Sequence, residues 1–165
     1  ARKPWVAAVN GPCAGISYSY AMACDLVLMA ESSYLYQPFV GIGLVPDGGA
    51  TWLLPHLIGS KRAYELMALG EKVSAEKAVE WGLANRVLAD DDFAQASMAF
   101  AQDLSERSPL ALRYTKEALN FSAAHNLSDT ISKEAALQSI CIGSADSKEA
   151  ITAFFEKRTP AWKGQ

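Results

Sequence analysis

Residues 5–30 read WVAAVNGPCAGISYSYAMACDLVLMA, and the order of apolar runs and breakers in this stretch decides the fold. Trp5-Val6-Ala7-Ala8-Val9 is a short apolar run stopped by Asn10-Gly11-Pro12, the pattern of a buried strand followed by a turn. Over residues 15–24 small and aromatic side chains dominate and no charge appears, which predicts a buried helix. Residues 25–30 then read as a second buried strand. Two apolar strands joined by a helix make a βαβ unit, which favours a parallel sheet with a right-handed crossover. The fold class is therefore α/β.

Outward from this unit the chain changes character. Residues 34–49 are rich in Gly and Pro, ending in Pro46-Asp47-Gly48-Gly49, and predict a long loop without regular structure. A loop of that length inside a compact domain is usually functional. Beyond it the pattern is helical. Residues 60–69 form one helix stopped by Gly70, and Ser74 caps another that runs to Trp81 and stops at Gly82. Residues 92–107 have amphipathic spacing, and Ser108-Pro109 opens the next helix with a cap and a first-turn proline. Residues 127–141 form a further amphipathic helix, and Asp146 with Glu149 predicts a capping box for a last helix over 147–158. On the other side, Ala1-Arg2-Lys3-Pro4 runs straight into the first strand without an initiator Met or a signal-peptide pattern, which suggests a chain whose beginning lies elsewhere.

Composition narrows the function. The chain has 165 residues, 50% hydrophobic and 20% charged, enough for a domain that buries roughly two-thirds of its unfolded surface. A formal net charge of −3 with scattered basic residues argues against a nucleic-acid partner, and no apolar run approaches membrane-spanning length. Cys13, Cys24 and Cys141 are too few and too irregular for a disulfide framework, which points to reduced thiols in a cytoplasmic setting. His56 and His125 sit in no ligand motif, so no metal is expected.

Four blocks carry a resemblance. Asn10-Gly11-Pro12-Cys13-Ala14-Gly15 followed by Ala21-Met22-Ala23-Cys24-Asp25 resembles the crotonase (enoyl-CoA hydratase/isomerase) pattern. Gln37-Pro38 with Gly43-Leu44-Val45-Pro46-Asp47-Gly48-Gly49, then Ser74-Ala75 with Ala78 and Gly82-Leu83-Ala84, then Phe154 with Glu156-Lys157-Arg158, follow in the family's order. The resemblance implies part of a crotonase-like ββα spiral, its βαβ half, followed by a helical C-terminal trimerisation region. Residues 1–58 would hold the spiral core with an oxyanion helix and the Asp47 loop, and residues 59–165 the oligomerisation helices. It implies a homotrimer or hexamer, no cofactor, and a coenzyme A thioester as the substrate. The family's N-terminal third, which supplies a second oxyanion donor and most of the adenine pocket, has no counterpart here.

Site residues follow from the same resemblance. The backbone N–H of Ile16 matches an oxyanion donor, with Gly15 before it allowing close approach of the ligand; fixed amide dipoles favour negative charge where it develops. The two glutamates that activate water in typical hydratases are matched by Ser19 and Phe39, so ordinary hydration is not expected. Asp47 takes their place, as in isomerase branches such as that of 1,2-epoxyphenylacetyl-CoA isomerase. Leu44, Val45, Phe39 and Trp52 are expected to desolvate its carboxylate and make it a stronger base. Phe39, Tyr18, Tyr20 and Trp52 are expected to line an acyl pocket suited to a ring. Phe154 and Lys157 match positions that reach the adenine and phosphates of coenzyme A. The leading reading is an acyl-CoA isomerase with Asp47 as proton shuttle. The alternatives are nucleophilic attack by Asp47 on an aryl-CoA, or an acyl-CoA-binding scaffold without catalysis.

Overall fold

The computed structural model describes all 165 residues. They form two compact units, Trp5–Ala101 and, separately, Ala1–Pro4 with Gln102–Gln165. Compactness thus divides the chain elsewhere than the change of role expected after residue 58.

The first unit is built on the βαβ segment. Strand β1 (Val6–Val9) is followed by β2 (Pro12–Ala14), helix α1 (Ile16–Met22) and strand β3 (Leu26–Ala30). β1 and β3 pair in parallel, Val6 opposite Leu26 through Val9 opposite Met29. Downstream come β4 (Tyr34–Tyr36), a 3-10 turn at Val40–Ile42, α2 (Ala50–Ile58), α3 (Ser60–Leu69), β5 (Val73–Ser74), α4 (Ala75–Glu80) and β6 (Arg86–Leu88). β6 joins the other side of β3 in parallel, giving the order β1-β3-β6. A second three-stranded sheet, β2-β4-β5, pairs β2 with β4 in parallel and β4 with β5 antiparallel.

Two expectations are corrected here. Pro12 opens a strand rather than completing a turn; it lacks an N–H, and the first residue of a strand is where a sheet tolerates that. Residues 34–49 contain β4 and the 3-10 turn, so they are not wholly irregular. The nine residues of α2 continue the helical character expected beyond residue 49, with Pro55 inside the helix. The expected ends of α3 and α4 do occur: Gly70 closes α3 in the left-handed region, and the Ser74 hydroxyl accepts from the Lys77 N–H to cap α4.

The core of this unit gathers Tyr18, Met22, Met29, Leu35, Leu54, Leu66, Val73 and Ala78 from both sheets and four helices. Leu35 and Leu54 are fully buried, each contributing roughly 1.5–3 kcal/mol by removal from water. α1 is only half a buried helix. Tyr18, Ser19, Ala21 and Met22 face inward, while Ile16 and Tyr20 are exposed.

The boundary between the units falls within α5 (Phe93–Ser105). The second unit contains α6 (Pro109–Ser122), α7 (Leu127–Gly143) and α8 (Ala145–Glu156). The Ser108 hydroxyl caps α6 as its sequence predicts. At α8 the capping box is not formed. Ser144 caps the helix instead, and the buried Asp146 carboxylate accepts from the N–H groups of Lys163 and Gly164, folding the tail onto the start of the helix. Glu149 pairs with Arg158 and accepts from the Ala161 N–H, which holds its carboxyl down at about 2.

Candidate active site

The turn before α1 is set by Gly15. Its φ of 60° lies in the left-handed region, where a side chain is strained, and its N–H donates to the Tyr36 carbonyl at 2.9 Å. A Cβ on Gly15 would lie 3.6 Å from the Phe39 ring, so Phe39 stands beside this turn as a half-buried neighbour. No side chain caps α1, and the first N–H groups of a helix have no acceptor within it. Ile16 begins α1 and is 44% exposed.

The Asp47 loop is seated on the same helix. The Ser19 hydroxyl, fully buried one turn after Ile16, donates to the Asp47 carbonyl at 2.8 Å. Ala50, the first residue of α2, donates its N–H to that carbonyl at 3.2 Å. Gly48 follows with φ 63°, and a Cβ there would meet Ser19 Cβ at 2.9 Å and Ile16 Cγ1 at 3.1 Å. Only glycine permits this approach. The result brings an uncapped amide and a carboxylate-bearing loop together on one helical turn, which suits a reaction that builds negative charge on an acyl oxygen while a proton moves nearby.

The remaining expected residues are distributed differently. Asp47 itself is exposed, and so are Leu44, Val45 and Trp52, so the desolvation expected of these neighbours is not present within the chain alone. Trp52 stacks on His56, ring centroids 4.2 Å apart, on the outer side of α2. Tyr18, expected in the acyl pocket, is core: it is 1% exposed, its hydroxyl has no partner, and burial pushes its ionisation upward. Burial likewise pushes up the Cys13 thiol. Tyr20 is exposed.

Phe154 and Lys157 belong to the other unit. Phe154 is 78% exposed and meets Phe155 edge-on, centroids 5.7 Å apart. Lys157 follows the end of α8 with φ 56°, the one non-glycine residue in the left-handed region. That unit also holds a cavity of about 850 Å³ among α6, α7 and α8, lined by Tyr114, Leu119, Ile131, Leu137 and Trp162, with no expected site residue in its wall. No group of three or more His, Cys, Asp or Glu side chains could hold a metal ion, and no helix is long and apolar enough to cross a membrane.

Sequence reasoning treats Ser19 only as the lack of a carboxylate and Gly48 only as turn chemistry. The bond from Ser19 to the Asp47 carbonyl, which seats Gly48 against the helix, was not legible, because it joins residues 28 apart.

Comparison with known proteins places this geometry. The family described as enoyl-CoA hydratase/isomerase matches residues 1–165. The 1,2-epoxyphenylacetyl-CoA isomerase of Escherichia coli (strain K12) is 36% identical over 163 residues, covering 99% of this chain and 62% of the relative. A probable enoyl-CoA hydratase of Rhodobacter capsulatus is 38% identical over 162 residues, covering 98% of this chain and 63% of the relative. The crystal structure of an enoyl-CoA hydratase from Bacillus anthracis superposes with a TM-score of 0.95 at 33% identity, covering 99% of this chain and 64% of that one. The chain therefore spans somewhat less than two-thirds of the length of these relatives. Hydratase and isomerase names stand at similar identity, so no single branch is picked out. The superposition agrees with the α/β class and the helical C-terminal region read from the sequence.

Proposed function

The chain belongs to the enoyl-CoA hydratase/isomerase family, and we propose that it serves an acyl-CoA isomerase in which Asp47 is the single proton carrier. The observation that carries this reading is the junction of the Asp47 loop with the start of α1, where Ser19 and Gly48 are in contact beside Ile16. Ser19 and Phe39 stand where hydratases of this family have glutamates, and neither can activate water as a carboxylate does.

The thioester oxygen of a 3-enoyl-CoA would accept from the Ile16 N–H. Asp47 takes a proton from C2, the electron pair moves into a dienolate, and negative charge grows on the held oxygen. The same carboxyl returns the proton to C4, and the double bond passes from C3–C4 to C2–C3. Nothing else is consumed. Ile42, Leu44 and Val45, exposed in the segment that leads to Asp47, would be covered by an acyl chain, excluding water from Asp47 once substrate is bound. Phe39 lies beside Gly15 where the acyl group would enter. Phe154 and Lys157 are assigned to the adenine and phosphates of coenzyme A, with α6 and α7 as the contacts of a cytoplasmic homotrimer or hexamer and no bound cofactor.

The test compares two reactions of the full-length protein. With a 3-enoyl-CoA, double-bond migration should proceed at least about a hundredfold faster than water addition to the matching 2-enoyl-CoA, the margin a single well-placed general base supplies. Hydration as fast as migration would overturn the isomerase reading.

A further inference from the structure

Most buried or helical hydroxyls in this chain bond locally. Ser33, Ser97, Ser105 and Ser122 each donate to the carbonyl three residues earlier. Thr130, Ser132 and Ser139 donate to the carbonyl four residues earlier. Ser19 likewise sits in a helix, α1, yet its hydroxyl crosses to the Asp47 carbonyl at 2.8 Å. It is fully buried, so water does not substitute for the bond.

The place where it attaches matters. Asp47 is followed by Gly48 and Gly49, with φ of 63° and 90°, two residues whose backbones resist rotation least. Without a tie on the Asp47 carbonyl, packing of Gly48 against Ser19 and Ile16 is the restraint that α1 still places on this peptide, and the carboxylate loses a directional hold. The other tie, the Ala50 N–H at 3.2 Å, comes from α2, beyond the two glycines. The Ser19 bond instead comes from α1, whose first residue carries the Ile16 N–H. Three helical residues span about 4.5 Å along the axis, so one rigid turn fixes both the amide and the acid's loop.

We propose that Ser19 is a positioning residue, whose hydroxyl holds the Asp47 carboxylate at working distance from the oxyanion amide of Ile16. This rests on the reading of Asp47 as the acting acid. Ser19 itself touches no reacting atom. Its contribution is to keep the proton carrier in register with the site of developing charge, where displacements of about 1 Å can cost a hundredfold in rate.

The test is steady-state double-bond migration by the full-length protein in wild type, Ser19→Ala, Ser19→Thr and Asp47→Asn, with thermal melting of each. Ser19→Ala should lower kcat about tenfold while KM for the acyl-CoA stays within about twofold, because binding contacts are untouched and only alignment is lost. Ser19→Thr, which keeps the hydroxyl but adds a methyl on the carbon that Gly48 approaches, should recover part of the lost kcat. If Ser19→Ala does not fold, Ser19→Cys preserves the shape with a much weaker donor and is read in the same way. A Ser19→Ala enzyme with lowered melting temperature but wild-type kcat below its melting range would overturn the proposal, as would a change in KM alone. If Asp47→Asn abolishes migration and Ser19→Ala does not, this inference fails while the reading of Asp47 stands. If Asp47→Asn keeps the wild-type rate, both fail together.

Discussion

The first turn of α1 and the last turn of α8 both carry residues marked by the family pattern, and they are built in opposite ways. At α1 the important groups are fixed by backbone and close packing: an uncapped helix start, a hydroxyl at 0% exposure, and a glycine that a single added carbon would push away. At α8 they are side chains in the open. Phe154 and Phe155 are each more than three-quarters exposed, and Lys157 is held in a left-handed turn with its side chain exposed. Under the proposed function, the difference separates two tasks. Chemistry needs groups fixed to a fraction of an ångström, whereas an exposed aromatic pair and an ammonium can adapt to a long, flexible ligand such as coenzyme A.

Changes at the α1 side should therefore act on rate, and changes at α8 on binding. The largest effect belongs to Asp47→Asn. It should lower kcat for migration by about 10²–10⁴, the range a general acid–base group supplies, while the melting temperature hardly moves because the side chain is exposed. Gly48→Ala comes next. A left-handed φ together with the 2.9 Å approach to Ser19 should cost about 1–3 kcal/mol of stability, read in a chemical-denaturation midpoint, and lower kcat as well. A variant as stable and active as wild type would break the claim that this loop is tightly seated.

At α8, Lys157→Gly should have a mixed signature. Relief of the left-handed backbone should raise stability by up to about 1 kcal/mol, while loss of the ammonium raises KM for acyl-CoA several-fold and leaves kcat alone. A fall in kcat instead would dissolve the division between the two regions. The smallest effect concerns acid. Glu149 is held down at about 2, first by the Arg158 guanidinium and then by the Ala161 N–H. A carboxyl lowered in the folded state stabilises it fully above the ordinary carboxylate range, and that contribution fades as pH falls from there toward about 2. Melting temperatures measured across this window should fall less steeply in Glu149→Gln than in wild type. Equal slopes would show that the pair is too exposed to matter.

How much of this was legible depends on where the information lies. α1 and β3 were readable because apolar runs are bounded by Gly, Pro and Asp within the same few residues. β2, β5 and β6 were not. Each has two or three residues, and each is a strand only because a partner elsewhere in the chain supplies its hydrogen bonds. The capping role expected of Asp146 was overridden by the tail at Lys163 and Gly164. The site divides in the same way. Gly15, Ile16 and Asp47 are candidates from local pattern and family resemblance, whereas the core position of Tyr18 and the bond from Ser19 depend on packing between distant segments.

The central claim is that one carboxylate carries the proton. The direct measurement incubates the full-length protein with a 3-enoyl-CoA in heavy water and follows double-bond position and deuterium content together by mass spectrometry, for wild type and Asp47→Asn. Migration with deuterium entering the acyl chain in the wild type, and neither in Asp47→Asn, is the predicted result. Migration and labelling that persist in Asp47→Asn at the wild-type rate would contradict it, because the proton would then travel by a route that does not include Asp47.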